Sequence, residues 1–206
     1  MMKGITTIIF DLGGVLMDLD KNACIRAFQA IGFKDIDEYL DIYLPKEGVF
    51  KQLEQGQIGT DEFHEGVRKL IGRSVTDESI DDTYREMLAG IPGYKLEMLR
   101  QLKEHYQILL LSNTNPIMMD YIRKTYFMDE GVSWKNYFDE LFLSYELKMT
   151  KPDPAIFKEV IRRSGIHPET TFYLDDSPRN IETGKSFGLK TYTVQPHEDF
   201  RFLFNK

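Results

Sequence analysis

The chain has 206 residues, room for one domain or for one domain carrying a smaller insertion, and its 42% hydrophobic and 29% charged content is ordinary for a globular enzyme. A formal net charge of -7 argues against a nucleic-acid or anionic-membrane surface, because those need clustered Lys and Arg. It leaves room for a small anionic substrate held in a locally positive pocket.

Short β-branched apolar runs predict strands at Ile5–Phe10, Gln107–Leu111, Glu140–Leu143, Thr171–Leu174 and Lys190–Val194. The second and fourth are almost continuously apolar, as strands covered on both faces should be. Helical periodicity is read over 94–105, 154–164 and 179–187, the last stopped by Gly188. Strands alternating with helices predict an α/β fold, a Rossmann-like doubly wound parallel sheet. From Lys21 to about Met87 no strand is evident. Amphipathic stretches at Ala23–Ile31, Ile36–Tyr43 and Thr60–Leu70 are set apart by Gly32, Gly56, Gly59 and Gly72. That is too long for one crossover helix, so we expect an inserted helical cap over 18–87, with the core made of 1–17 and 88–206.

Cys24 is the single cysteine, so no intrachain disulfide can form and a reducing, cytoplasmic setting is expected. The apolar start breaks at Asp11, too early for a signal peptide, and no run approaches a membrane span. Expected partners are therefore a small substrate and at most a second copy of the chain, monomer or homodimer, with neither nucleic acid nor membrane.

Four segments could carry chemistry. Strand 1 runs into Asp11-Leu12-Gly13-Gly14 at the strand edge where open parallel sheets bind ligands, so Asp11 is a candidate nucleophile or metal ligand, or else simply a turn residue. Ser112-Asn113-Thr114-Asn115 ends strand 2; hydroxyls, amides and free N–H groups there suit phosphate, and equally suit a plain helix cap. Lys151-Pro152 follows strand 3, with Lys148 as a rival for any role. Asp175-Asp176-Ser177 ends strand 4. Adjacent carboxylates repel unless a cation is near, and Mg²⁺ is the simplest partner, although Asp176 or Ser177 could instead cap the next helix.

In this order and context, FDLGGVL, LLLSNT, KPDPAIF and YLDDSPRNI resemble the four motifs of the haloacid dehalogenase superfamily, and the helical segment sits where that family carries its first-type cap. The resemblance implies a Mg²⁺-dependent phosphohydrolase acting on a small phosphorylated metabolite. Asp11 would be the nucleophile, forming an aspartyl-phosphate. Ser112, Asn113 and Lys151 would bind the phosphoryl group, with Lys151 offsetting its charge. Asp11, the Gly13 carbonyl and Asp176 would hold the metal, with Asp175 close by or acting through water. The chain departs from the family at Gly13, where most members place a second aspartate as general acid.

The sequence is also similar to a branch reading DLGNV there, which includes an α-glucose-1-phosphate phosphatase. That likeness extends to Leu-Ser-Asn-Thr-Asn and to Glu54-Gln-Gly56-Gln57-Ile58, making Glu54, Gly56 and Gln57 specificity candidates. A sugar phosphate such as glucose 1-phosphate is the expected substrate. A 2-haloacid dehalogenase and a non-catalytic metabolite-binding relative are the alternatives. Asp18 and Asp20 are read as cap or hinge residues. His64, on a helix of the expected cap, is read as an exposed surface histidine, the alternative being that it faces the site and reaches substrate, and Met118, Met119 and Trp134 are read as core or lid packing.

Overall fold

The structure, a computed structural model, describes residues 2–40, 46–127 and 133–204. Strand β1 (Thr7–Phe10) and the two-residue β2 (Asp18–Leu19) lead into five helices: α1 (Lys21–Ala30), α2 (Ile36–Tyr39), α3 (Val49–Glu54), α4 (Thr60–Ile71) and α5 (Asp77–Arg85). The chain then continues through β3 (Leu88–Gly90), α6 (Gly93–Lys103), β4 (Gln107–Ser112), α7 (Pro116–Ile122) and β5 (Glu140–Leu143). It ends with α8 (Ser144–Leu147), α9 (Pro154–Ser164), β6 (Thr171–Asp175), α10 (Pro178–Ser186) and β7 (Lys190–Thr193).

Five strands form a parallel sheet in the order β5-β4-β1-β6-β7, so the doubly wound sheet expected from the sequence is what folds. Its two faces separate by the strand period of two. Ile8, Phe10, Ile108, Leu110, Phe172 and Leu174 face one core; Ile9, Leu109, Leu111 and Tyr173 face the other, against Phe157 and Val160 of α9. This explains why β4 and β6 read as unbroken apolar runs. The chain crosses from β1 to β4 on one side and later to β6 on the other. The direction of winding therefore reverses beside β1, and ligand crevices form at the carboxyl ends of strands at such a reversal.

The sequence did not announce the antiparallel ribbon in which Asp18 faces Gly90 and Leu19 faces Leu88. Two and three residues give too short a pattern for periodicity to register. The ribbon ties the exit from the sheet to the return from the helices. Lys95, buried on α6, braces it by donating to the Val15 carbonyl at 2.7 Å and to Asp18 at 3.2 Å. Asp18 is thus a ribbon residue, and Asp20 caps α1 by accepting from the Ala23 N–H at 2.8 Å.

Helices α1 to α5 bury an aromatic cluster of their own. Phe50 meets Phe63, Phe28 and Tyr84 edge-on at centroid distances of 5.1, 5.5 and 5.3 Å, the arrangement ring quadrupoles favour. The amphipathic stretch read over Ile36–Tyr43 is helical only through Tyr39; residues 41–43 of it lie outside the described residues. Helices α3 and α5 add to the stretches read from the sequence. His64 corrects an expectation: it is buried, with Nε2 2.7 Å from Asp81, and faces the interior of the helical segment. Phe63, His64 and Val67, at i, i+1 and i+4, make up the buried stripe of α4. Met118 and Met119 are buried, and Trp134 packs partly buried on the main core, as expected. Among the described residues no helix is long and apolar enough to cross a membrane.

Candidate active site

Strands β1, β4 and β6 end in polar groups at the same edge, and the loop after α8 brings Lys151 to it. Asp11 follows β1, its backbone N–H donating to the Leu174 carbonyl at 2.9 Å, which extends the sheet ladder by one residue and fixes where the carboxyl projects. Its Oδ1 accepts from the Leu12 N–H at 2.7 Å and lies 2.8 Å from Lys151 Nζ. Gly14, at φ +72°, takes a left-handed conformation in this loop, and a Cβ there would overlap the Asp176 carboxylate. The glycine therefore lets β1 and β6 bring Asp11 and Asp176 together.

Lys151 is 4% exposed, and its three ammonium protons have three acceptors. They are Asp11 at 2.8 Å, Asp175 at 2.7 Å and the Leu111 carbonyl at 2.9 Å. Burial draws its pKa down, but the charges of Asp11 and Asp175 more than offset this and leave it above the ordinary lysine value. The lysine stays charged with no spare donor. Contact with a phosphoryl oxygen would take the place of one of these bonds. Lys148, the rival, is exposed at the left-handed end of α8, three residues from the cis Lys151–Pro152 bond.

The Lys151 loop is held by a residue that the sequence offered as a phosphate ligand. Asn113 donates from Nδ2 to the Lys151 carbonyl at 2.9 Å and accepts the Lys151 N–H on Oδ1 at 2.8 Å. Its side chain is thereby committed to positioning Lys151, which leaves the Asn113 backbone N–H as its means of reaching a phosphate. No local pattern could reveal a pair 38 residues apart. Ser112 is buried at the end of β4, with Oγ 3.3 Å from the Asn113 carbonyl. Asn115 caps α7, accepting from the Met118 N–H at 3.1 Å. The cap expected from Asp176 or Ser177 does not form: Ser177 stands at the N-cap of α10 without a side-chain bond.

Asp175 and Asp176 part company despite being adjacent. Asp175 is fully buried and accepts from Lys151, Tyr173, the Ser177 N–H at 2.8 Å and Asn180 Nδ2 at 2.9 Å. Burial raises its pKa, but Lys151 and these donors outweigh it, so the carboxylate stays below the ordinary value. Asp176 is exposed toward the crevice, and desolvation together with the Asp175 charge raises its pKa. Asp11 is pushed up to about 8, chiefly by burial, with Lys151 opposing and Asp175 and Asp176 adding to the rise.

Three carboxylates thus share one ammonium. One oxygen from each of Asp11, Asp175 and Asp176 lies within 4.8 Å of the others, the one such cluster among the described residues. A second, divalent positive charge would remove the deficit and keep Asp11 ionised, and an all-oxygen donor set suits Mg²⁺. The residues therefore fit that ion.

Of the specificity candidates, Glu54 ends α3 and Gly56 follows it at φ +61°, where a Cβ would overlap the Tyr145 carbonyl. Ser144 Oγ donates to the Glu54 carbonyl at 2.8 Å and lies 2.9 Å from both the Thr114 N–H and the Thr114 carbonyl. The end of α3 is therefore pinned to the strand edge that carries Ser112 and Asn113. Gln57 is exposed, with Nε2 2.9 Å from Gln55.

The haloacid dehalogenase-like hydrolase profile matches residues 5–188. The chain is 36% identical over 197 residues to a D-ribitol-5-phosphate phosphatase of Bacteroides thetaiotaomicron, covering 96% of this chain and 95% of that one. It is similar to the crystal structure of a HAD family enzyme of Bacteroides thetaiotaomicron, an aspartate-to-alanine mutant in complex with magnesium and inorganic phosphate. The TM-score is 0.94 and the identity 41%, with 98% of this chain and 100% of that chain covered. A predicted HAD-like family hydrolase from Porphyromonas gingivalis aligns with a TM-score of 0.89 at 34% identity, covering 98% of each chain. Because the profile runs from the first strand to the last helix of the sheet and these relatives share nearly the whole length, the chain belongs to the haloacid dehalogenase-like hydrolases.

Proposed function

We propose that the protein is a Mg²⁺-dependent phosphatase of small phosphorylated carbohydrates that works through an aspartyl-phosphate on Asp11. The observation that carries this is the Lys151 ammonium held 2.8 Å from Asp11 and 2.7 Å from Asp175 beside a three-carboxylate cluster. Phosphoryl transfer asks mainly for positioning and charge neutralisation, and this arrangement supplies both. Asp11 attacks phosphorus. Lys151 offsets the charge of nucleophile and phosphoryl oxygens, while Ser112 and the Asn113 backbone bind those oxygens. Asp11, Asp176 and the Gly13 carbonyl would hold the ion, and Asp175, already engaged by four donors, would act behind them through Lys151 or water. When bound, Mg²⁺ supplies electrostatic stabilisation of the transferring group.

The helical segment 18–87 serves as the cap, selecting the leaving group and excluding water, with Glu54, Gly56 and Gln57 at its site-facing turn. Support for a carbohydrate phosphate comes from the relative named for D-ribitol 5-phosphate, and from a second in Escherichia coli, 25% identical, named for 6-phosphogluconate. Glucose 1-phosphate is the finer substrate expected from the sequence. The test is phosphate release from sugar and sugar-alcohol phosphates with and without Mg²⁺, alongside chloride release from chloroacetate. Mg²⁺-dependent phosphate release that Asp11→Asn abolishes supports the proposal. Metal-independent chloride release, or turnover surviving Asp11→Asn, overturns it.

A further inference from the structure

A primary alkoxide leaves phosphorus only with a proton, and the groups at the strand edge do not offer one. Lys151 has all three protons engaged, Asp175 accepts from four donors, Asp11 serves as the nucleophile, Asp176 would hold the ion, and Gly13 has no side chain. The helical segment brings a carboxyl-bearing residue, Glu54, to this edge. Glu54 is the last residue of α3, and its backbone is clamped to the Thr114–Ser144 junction by the 2.8 Å bond from Ser144. Gly56 reinforces the clamp by packing directly on the Tyr145 backbone. The Glu54 side chain is half-buried, makes no ion pair among the described residues, and lies close enough to Lys151 to feel its charge.

We propose that Glu54 is the catalytic acid–base of this enzyme, protonating the leaving oxygen in place of a side chain at position 13. The proposal rests on the aspartyl-phosphate reading above and deepens it. In the first step an Asp11 oxygen forms a bond to phosphorus, and the bond from phosphorus to the leaving oxygen breaks with its electron pair going to oxygen. The Glu54 carboxyl proton moves to that oxygen, releasing a neutral alcohol and leaving Glu54 ionised. In the second step Glu54 takes a proton from water, whose oxygen bonds to phosphorus. The bond from phosphorus to Asp11 breaks, which regenerates the Asp11 carboxylate and protonated Glu54 and frees inorganic phosphate.

Both protonation states are accessible near neutrality. Desolvation lifts the Glu54 pKa to about 7, with Lys151 and then Lys51 opposing the rise. A general acid works best when its pKa lies near the working pH.

Leaving groups without further hydroxyls and of widely different acidity separate an acid from a binding group. The probes are ethyl phosphate, 2,2,2-trifluoroethyl phosphate and p-nitrophenyl phosphate, with kcat/KM measured for the wild type and Glu54→Gln. This constant reports the steps through alcohol release and is blind to the later hydrolysis. General acid catalysis contributes about 100-fold to 10,000-fold. The expected loss in Glu54→Gln is therefore at least about 100-fold on ethyl phosphate, smaller on the trifluoro compound and no more than about threefold on p-nitrophenyl phosphate. An equal loss across the three, or none, overturns the assignment. Glu54→Asp, with its shorter acid, should recover part of the ethyl phosphate rate, and equal Tm values guard against a folding defect. If the wild type turns over no phosphate ester, the phosphatase reading falls and takes this proposal with it. Uniform losses in Glu54→Gln, with the wild type active, remove the Glu54 role alone.

Discussion

Asp11→Asn should abolish turnover and yet stabilise the metal-free protein at alkaline pH. Asp11 has a folded pKa of about 8 against 3.8 for an ordinary aspartate. Between those values the folded state binds a proton that the unfolded chain has lost, so stability falls as pH rises through that window. Each pH unit inside it is worth about 1.4 kcal/mol. From pH 5 to pH 8 the wild type should therefore lose up to roughly 4 kcal/mol. Local relaxation and water entry reduce that to about 2–4 kcal/mol. Asparagine keeps the shape and cannot ionise, so the variant should lack this slope. For a chain of this size about 1 kcal/mol moves Tm by roughly 2–4 °C. Thermal unfolding in EDTA at pH 5 and pH 8 should show the variant melting about 5–15 °C above the wild type at pH 8, with little difference at pH 5. Added Mg²⁺ should restore the wild type at pH 8 and act less on the variant, because it neutralises the carboxylate the variant lacks. Parallel pH dependence of the two proteins in EDTA would refute the charge-deficit argument.

Asp176→Ala should lower kcat by about 100-fold or more and raise the Mg²⁺ concentration needed for activity, while changing stability by less than about 1 kcal/mol because the side chain is exposed; a Mg²⁺ titration of the rate checks this. Lys151→Met strands Asp175 in the core without its cation and should cost about 3–5 kcal/mol in urea unfolding, whereas Lys148→Met should stay within about 0.5 kcal/mol. His64→Leu should destabilise the protein by about 1–3 kcal/mol by leaving Asp81 without its 2.7 Å partner, with kcat unchanged; equal melting temperatures would show that the bond contributes nothing.

Periodicity determined a good deal by itself. The alternation of Ile8, Ile9 and Phe10, and the unbroken run through Leu109, Leu110 and Leu111, dictated strands covered on both faces, and with the intervening helices a parallel sheet. Asp11 and Asp175-Asp176 were legible because ligand sites in such a sheet gather at strand ends, and strand ends can be read from local pattern, whereas Lys151 lies in the loop between α8 and α9. Contacts between distant segments were not legible. The same alphabet that offered Asn113 as a phosphate ligand gives, in three dimensions, a side chain spent on the Lys151 backbone 38 residues away. Asp175 and Asp176 look equivalent in sequence, yet one lies in the core under four donors and the other faces the crevice, because consecutive residues at a strand end point to opposite sides. His64 looked like a surface residue until the fold set Asp81 opposite it. Local composition encodes which elements form and where reactive groups emerge. Whether a polar group is free to act depends on which partners the fold brings within about 3 Å, and that is decided only when the chain closes.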